Sequence, residues 1–365
     1  MKVLLISKAL VSGPYQKKLE ELAREPDIEL RAVTPPYWRT GKTRQRLSRL
    51  HVDGYELRVR RALLNGRFHV HFFPGLGREI DDFRPDLVHV DEEPYNLATA
   101  HAIGLARRAN ARCLFFAWQN LNRRYRPPFM WFERYSYRNA AAIAGTQAAL
   151  DVLLAKGFIG PAAVIPQFGV DPEMFRPSTL DKEDGPFTVG FVGRLVESKG
   201  LRTLLPAFER LGGRERLSIA GDGPLAEWVR QYAVARGFGN RLELAGHMPP
   251  EDIPAFLSSV DVLVLPSIPT SRWVEQFGRS LIEAMASEVP VIGSKSGEIP
   301  NVIGDAGVLV PPGDVNALAA ALAGMRDDAL RRRTLGKKGR KRVLAQFTHS
   351  RIAAATARFY RTLVQ

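Results

Sequence analysis

Short apolar runs bounded by turn residues recur along the chain, and the stretches between them carry apolar positions every three or four residues. The first pattern predicts buried strands and the second predicts helices with one apolar face. In the first half, residues 2–7, 29–34, 86–90, 113–117, 140–145 and 162–165 are expected as strands. Residues 16–24, 96–108 and 147–156 are expected as helices, with Leu19, Leu22 and Ala23 on one face of the first. Residues 37–74 read as irregular and basic, with two further candidate strands at 56–60 and 69–73. Residues 166–186 are proline-rich and aperiodic, which predicts a linker. The alternation then restarts. Strands are expected at 187–192, 217–220, 242–245, 260–266, 289–293 and 308–310, and helices at 201–211, 225–236, 250–257 and 278–287. Beyond residue 326 the chain reads as helical, ending in a helix over 349–364.

Short buried strands alternating with helices predict α/β architecture with parallel sheets. The expected organisation is an N-terminal Rossmann-like domain (residues 1–170), a linker (171–186), a C-terminal Rossmann-like domain (187–345) and a final helix (346–365) packing back on the first domain. Two such sheets joined by a hinge would face a central cleft, and ligands of open parallel sheets bind at the carboxyl ends of the strands.

Composition narrows the class. The 365 residues are 45% hydrophobic and 25% charged, as in a soluble globular protein. No apolar run approaches the ~18 residues that span a bilayer. Residues 2–7 are too short for a signal peptide. A single cysteine, Cys113, excludes an internal disulfide and fits a reducing cytosol; its apolar surroundings predict a packing role. The formal charge is +14, and residues 1–150 hold 25 Lys/Arg against 15 Asp/Glu. Arg39, Lys42, Arg44, Arg46 and Arg49, continued by Arg58, Arg60 and Arg61, form one basic stretch. Arg107, Arg108 and Arg112 lead into a second with Arg123, Arg124 and Arg126. Such charge suits nucleic acid, an anionic membrane surface, a phosphate-bearing substrate or simple solubility.

The stretch richest in candidate chemistry is Glu275-Gln-Phe-Gly-Arg-Ser-Leu-Ile-Glu283. At about 1.5 Å per residue, eight steps separate its carboxylates by up to ~12 Å, roughly the reach of a sugar diphosphate. A helix expected to begin near Phe277 or Gly278 would offer free N–H groups and a positive dipole end to a phosphate. The alternative is two solvated glutamates flanking a buried helix. Gly193-Arg194-Leu-Val-Glu-Ser-Lys199-Gly200 leaves the first strand of the second domain, and Arg194 with Lys199 is a pair suited to a diphosphate, or a basic turn. Gly13, after the first strand, allows close backbone approach, as at any sharp turn. Gly221-Asp-Gly-Pro224 reads as a turn. Asp91-Glu92-Glu93 ends a strand and could bind a metal or an acceptor hydroxyl, or be a solvated loop. His89 and His247 also lie at strand ends. P-loop, zinc-protease and Cys-based metal patterns are missing from the sequence.

Phe191-Val-Gly-Arg194, Lys199-Gly200, Ala220-Gly-Asp-Gly-Pro224, Gly246, Asp261-Val-Leu-Val-Leu-Pro-Ser267, Glu275-Gln-Phe-Gly278, Glu283-Ala-Met-Ala286, Pro290-Val-Ile-Gly293, Gly307 and Pro312-Gly-Asp314 occur in that order over about 125 residues. This series resembles the retaining glycosyltransferases of family 4, which have the GT-B fold. The first domain is similar to them more loosely, through residues 2–13 and the strand order. The resemblance implies that Arg194 and Lys199 neutralise a donor diphosphate, with Gly13, Phe277 and Gly278 beside it. Glu275 would bind sugar hydroxyls at the catalytic centre, Glu283 the ribose, and His247 and Met248 the base. It further implies a metal-independent, front-face reaction in which the leaving phosphate takes the acceptor's proton, with no cofactor besides the nucleotide sugar. Many members carry a His just after the strand at 113–117; here Trp118-Gln119-Asn120 stands instead. Gln119 can hydrogen-bond a sugar but cannot act as a base. Either it replaces the His in positioning, or Asp91, Glu92 or Glu93 serves the acceptor.

The expected function is transfer of a sugar from a nucleotide diphosphate to a glycan or lipid-linked acceptor, in polysaccharide or envelope synthesis. The expected location is cytoplasmic, with the inner membrane surface as a candidate partner of the basic domain. A GT-B phosphorylase or sucrose-type synthase, a nucleotide-sugar sensor and a basic nucleic-acid-binding protein are the alternatives. No nucleic-acid-binding motif supports the last.

Overall fold

In the computed structural model, which describes residues 1–41, 43–178 and 185–365, the first half builds one parallel sheet of seven strands. Lys42 and residues 179–184 of the expected linker lie outside the described residues. The elements of this half are β1 (Lys2–Ile6), α1 (Lys17–Ala23), β2 (Glu29–Thr34), β3 (Tyr37–Thr40), β4 (Thr43–Arg46), β5 (Glu56–Val59) and α2 (Leu76–Phe83), then β6 (Leu87–Val90), α3 (Leu97–Arg108), β7 (Arg112–Ala117), α4 (Phe129–Asn139), β8 (Ala141–Ala144), α5 (Gln147–Ala155) and β9 (Ala162–Val164). The sheet order is β5-β2-β1-β6-β7-β8-β9. Val3, Leu4, Leu5 and Ile6 of β1 are all fully buried, which is why this strand is an unbroken apolar run rather than an alternating one.

Several expectations are corrected here. Residues 69–73 form no strand; Phe72 makes an isolated bridge to Leu63, and the segment meets the core through its rings, with His71 4.8 Å from Trp38. Residues 37–40 and 43–46, expected as irregular, pair as the antiparallel strands β3 and β4. Helices α2 and α4 were not foreseen. Leu76, Glu79, Ile80 and Phe83 are the buried face of α2. Glu79 breaks the apolar period, because that position buries a carboxylate ion-paired to Arg31, Arg58 and Arg60.

The second half repeats the design. It holds β10 (Thr188–Val192), α6 (Leu201–Glu209), β11 (Arg216–Ala220), α7 (Ala226–Ala235), β12 (Leu242–Gly246), α8 (Ile253–Ser259), β13 (Val262–Leu265), α9 (Arg279–Ala286), β14 (Val291–Ser294), α10 (Ile299–Ile303), β15 (Val308–Val310), α11 (Val315–Asp327) and α12 (Ala329–Gln346). Its parallel sheet runs β12-β11-β10-β13-β14-β15. Chain order reverses between β10 and β13, so the carboxyl ends of these neighbours form a topological switch point, where ligands of such sheets bind. The mostly polar α12 approaches α9 closely because it carries glycine where a side chain would collide. A Cβ on Gly336 would lie 2.1 Å from the Glu288 carbonyl oxygen.

The last helix, α13 (His349–Val364), belongs to the first of two units, Met1–Gly169 with His349–Gln365; the second is Val170–Thr348. It packs on α1 and buries Ile352, Ala353, Thr356, Ala357 and Tyr360. The Tyr360 hydroxyl lies 2.5 Å from Nδ1 of His89, a fully buried imidazole that burial holds neutral. His89 is thus a packing residue. Tyr360→Ala is expected to cost about 3–5 kcal/mol, as large-to-small changes of buried aromatics do. Replacing the more exposed Arg361 by Ala should cost much less, since solvent screens its ion pairs. Urea unfolding measures both, and equal midpoints for the two variants would contradict this packing.

Candidate functional site

At the switch point of the second sheet, the loop leaving β10 lies against the loop leaving β13. Gly200 makes this approach possible: its φ is +75°, and a Cβ there would sit 1.9 Å from the Pro266 carbonyl oxygen. Ile268 N–H donates to the Ser198 carbonyl at 2.8 Å, fixing the register of the two loops. Lys199 is thereby aimed at Glu275. Its Nζ donates to Glu275 Oε2 at 2.7 Å, and Ser267 Oγ donates to the same oxygen at 2.7 Å. The Lys199 ammonium also stands 5.2 Å from the Trp273 ring centroid. Glu275 is buried. Its own backbone is clamped from beyond β14, where Glu298 N–H donates to the Glu275 carbonyl at 3.2 Å and a Cβ on Gly297 would meet that oxygen at 2.0 Å.

The helix after Glu275 begins at Arg279, slightly later than expected, with Gly278 as its cap at φ +80°. A side chain at 278 would press on Leu281 and Leu265 at 2.9 and 3.0 Å. Phe277 is buried, with its ring 5.8 Å from that of Phe347. Glu283 is a buried residue of α9, and Arg279 Nε donates to its Oε1 at 2.7 Å. Burial raises the Glu283 pKa, with Arg279 pulling the other way. Arg194 and His247 are exposed at the ends of β10 and β12, and Met248 is partly covered. The structure therefore joins Lys199 directly to Glu275 and leaves Arg194, His247 and Met248 on loops at the same sheet edge.

The corresponding edge of the first sheet carries Asp91, Glu92 and Glu93 after β6. Each faces a different set of partners. Asp91 accepts from Ser7 Oγ and from Gln167 Nε2, both at 2.7 Å. Glu92 is buried, ion-paired to Lys8 and 3.5 Å from His71 Nε2; despite burial, the nearby Lys8 charge takes its pKa down to about 2. Glu93 Oε1 accepts from the Trp118 N–H at 2.9 Å, and burial pushes this carboxyl up to about 7. Gln119 Nε2 donates to the Tyr125 hydroxyl at 3.0 Å. Gly13 is buried, and the Leu50 side chain fills the place its Cβ would take, 2.5 Å away. This is a packing reason for glycine at that turn.

Sequence reading missed Ser267, Trp273 and Arg279 in the second unit, and Lys8, His71, Tyr125 and Gln167 in the first. Ser267 and Arg279 stand inside quoted motifs, so proximity in sequence was a usable signal. The others are brought in by tertiary folding.

The chain matches two family models: Glycosyl transferase 4-like domain over residues 13–166 and Glycosyl transferases group 1 over residues 175–342. It is 32% identical over 185 residues to a 2-deoxystreptamine N-acetyl-D-glucosaminyltransferase of Streptomyces fradiae, covering 46% of this chain and 43% of that relative's length. It is 27% identical over 306 residues to a 2-deoxystreptamine glucosyltransferase of Streptomyces kanamyceticus, covering 76% and 77%. The crystal structure of Anabaena HepE in complex with UDP superposes with a TM-score of 0.77 at 18% identity, covering 100% of both chains. The fold is GT-B. The chain belongs to the group 1 glycosyltransferases.

Removing the cation beside a buried carboxylate is costly. Lys199→Met is expected to destabilise the protein by on the order of 3 kcal/mol at neutral pH. Lys199→Met with Glu275→Gln should recover part of that loss, as measured by thermal unfolding. A double variant no better than the single one would remove the pair's structural role.

Proposed function

We propose that this chain transfers a sugar, with retention of anomeric configuration, from a nucleotide-diphosphate sugar to a glycan or lipid-linked acceptor. The observation that carries the reading is the Lys199–Glu275–Ser267 cluster at the switch point of the second sheet, beside the amino end of α9. A leaving diphosphate develops negative charge as the sugar bond breaks, and fixed positive groups stabilise it where it develops. Lys199 and Arg194 supply that charge, aided by the N–H groups around Phe277 and Gly278. Glu275 accepts hydrogen bonds from the sugar hydroxyls, sharing its carboxylate with Lys199. Glu283 turns from Arg279 to the ribose hydroxyls, and His247 with Met248 flank the base. In this reading the acceptor hydroxyl attacks the face the diphosphate leaves, and its proton passes to the departing phosphate oxygen. The reading needs no metal, so turnover should persist in EDTA. The named activities of the two Streptomyces relatives and the UDP held by HepE are in keeping with it.

The acceptor side falls to the first unit, with Gln119 hydrogen-bonding a sugar hydroxyl near Asp91, Glu92 and Glu93. Arg39, Arg44, Arg46 and Arg49 are exposed there, and we assign them to an anionic membrane surface on the cytoplasmic side. Among the described residues no helix is long and apolar enough to cross a membrane. Sedimentation with anionic vesicles at low salt, released as salt rises, tests this assignment; no sedimentation at low salt removes it.

The donor is found by thermal-shift screening with UDP, GDP, ADP and TDP, because a bound ligand raises stability by mass action. Glu275→Gln is expected to lower kcat on the order of 100-fold or more while nucleotide affinity changes little, and Arg194→Ala to weaken nucleoside-diphosphate binding by about tenfold. Full activity in Glu275→Gln would overturn the role given to Glu275. Inversion at the anomeric carbon, read by NMR of the product, would overturn the front-face step.

A further inference from the structure

Of the three neighbouring carboxylates after β6, Asp91 is held at both oxygens by Ser7 and Gln167, and Glu92 is held at Oε2 by Lys8 and Asn96, with His71 Nε2 3.5 Å from its buried Oε1. Glu93 differs. It reaches across to the end of β7 and takes the backbone N–H of Trp118, the residue before Gln119. Its other oxygen, Oε2, is buried and has no hydrogen-bond partner among the described residues. The same few residues close a ring of contacts. Tyr95, two positions after Glu93, stacks on Tyr125 with centroids 4.1 Å apart, and Tyr125 receives the Gln119 amide. Trp118 in turn stacks on Phe168 at 5.6 Å. The Trp118–Gln119 turn is thus held at its backbone by Glu93 and at the Gln119 side chain by Tyr125. With one amide hydrogen committed to Tyr125, the Gln119 carbonyl oxygen is the end suited to accept from a hydroxyl.

We propose that Glu93 is a positioning residue: its carboxylate sets the Trp118–Gln119 turn, and through it the orientation in which Gln119 meets an acceptor hydroxyl. The assignment of Gln119 to the acceptor rests on the proposed function; the Glu93–Trp118 coupling does not. A carboxylate accepts from an N–H more strongly than a neutral carboxyl does. The turn is therefore tighter when Glu93 is ionised. Burial holds Glu93 near pH 7, against the pull of the Trp118 N–H and of Lys8, while Glu92 adds to the rise. Lys8 lies on the loop after β1 and Glu92 beside it on the loop after β6. Tyr95, Tyr125 and, on α4, Tyr137 also feel the Glu93 charge, but burial pushes their phenols upward, away from this range. His71 and His69 stand nearby, on Glu92 and Asn96 respectively. Only comparison with a Glu93 variant isolates the carboxyl.

The experiment is an NMR pH titration from 5 to 9 of the full, isotope-labelled chain without substrate. The Trp118 amide is assigned by its loss in Trp118→Phe, and the Gln119 side-chain amide by its loss in Gln119→Ala. Both signals are expected to shift with one midpoint near 7, to stop shifting in Glu93→Gln, and to resume in Glu93→Asp. Signals that stay flat in the native chain, or titrate unchanged in Glu93→Gln, overturn the proposal. Should Glu93→Gln not fold, the carboxyl carbon of Glu93 in the native chain reports the same midpoint directly, and a midpoint below 5 overturns it. With UDP-glucose as probe, the pH limb of kcat near 7 should vanish in Glu93→Gln with KM within twofold of the native value; a retained limb counts against the proposal. A native chain that shows the titration but neither binds nor consumes any nucleotide sugar tested leaves the Glu93 coupling standing and refutes the transferase reading instead.

Discussion

A carboxylate taken out of water must be met by a cation or by donors, and the second unit is organised around that demand at Glu275. Its partners come from two other positions in the chain, Lys199 and Ser267. For them to meet, the loops after β10 and β13 must touch, and they touch where Gly200 offers no side chain. The far side of Glu275 is closed by Gly297 under the same constraint. Glycine is therefore required at these two positions by a charge located elsewhere. The need to keep one ion pair under cover sets the backbone of the neighbouring loops, and those loops shape the switch point where a donor would bind.

The same rule redistributes the basic charge of the first unit. Read as sequence, Arg58 and Arg60 belong to a continuous basic stretch available to any polyanion. In the structure they pair with Glu56 and Glu79, and Arg31 joins them. Lys8 is committed to Glu92. These cations balance internal carboxylates. What stays on the surface is the strand pair β3–β4 and its neighbours, where Arg44 stacks on Tyr37 with 3.7 Å between guanidinium carbon and ring centroid. A nucleic-acid-binding reading founded on net charge loses part of its footing, because net charge says nothing about where the countercharges lie.

The parallel strands were legible because burial on both faces forces continuous apolar runs, as in β1, β6 and β13. Helix α2 and strand β4 were not: α2 hides its period behind Glu79, and β4 buries no side chain at all. Helix α12 was legible as a helix, but its contact face, built on Gly336 and Gly339, was not. The site shows the same division. Glu275, Gly278 and Glu283 were readable together because they lie within nine residues of one another. The dependence of Glu275 on Lys199 spans 76 residues and that of Glu93 on Trp118 spans 25, and neither leaves a periodic trace.

Glu92 and Glu93 show what decides the chemistry of a buried acid. They are adjacent, both lose solvent, and both lie within the field of Lys8. Glu92 has that ammonium in contact and is held down at about 2; Glu93 has only the backbone N–H groups of Trp118 and Gln119 and is pushed up to about 7. Contact with a cation outweighs burial, and neutral backbone donors do not. The linkage follows with a definite sign. Glu93 binds its proton more tightly folded than unfolded, so its contribution to stability falls as pH rises from the ordinary value of 4.5 to about 7 and is constant beyond. Glu92 has the opposite shift, and the stability it contributes is lost only as pH falls from 4.5 towards 2. Asp-Glu-Glu therefore reads as one acidic patch in the sequence but acts as separate devices: Glu92 is a fixed charge that ties two loops together, while Glu93 is a group whose charge can change at neutral pH without disturbing its neighbour's.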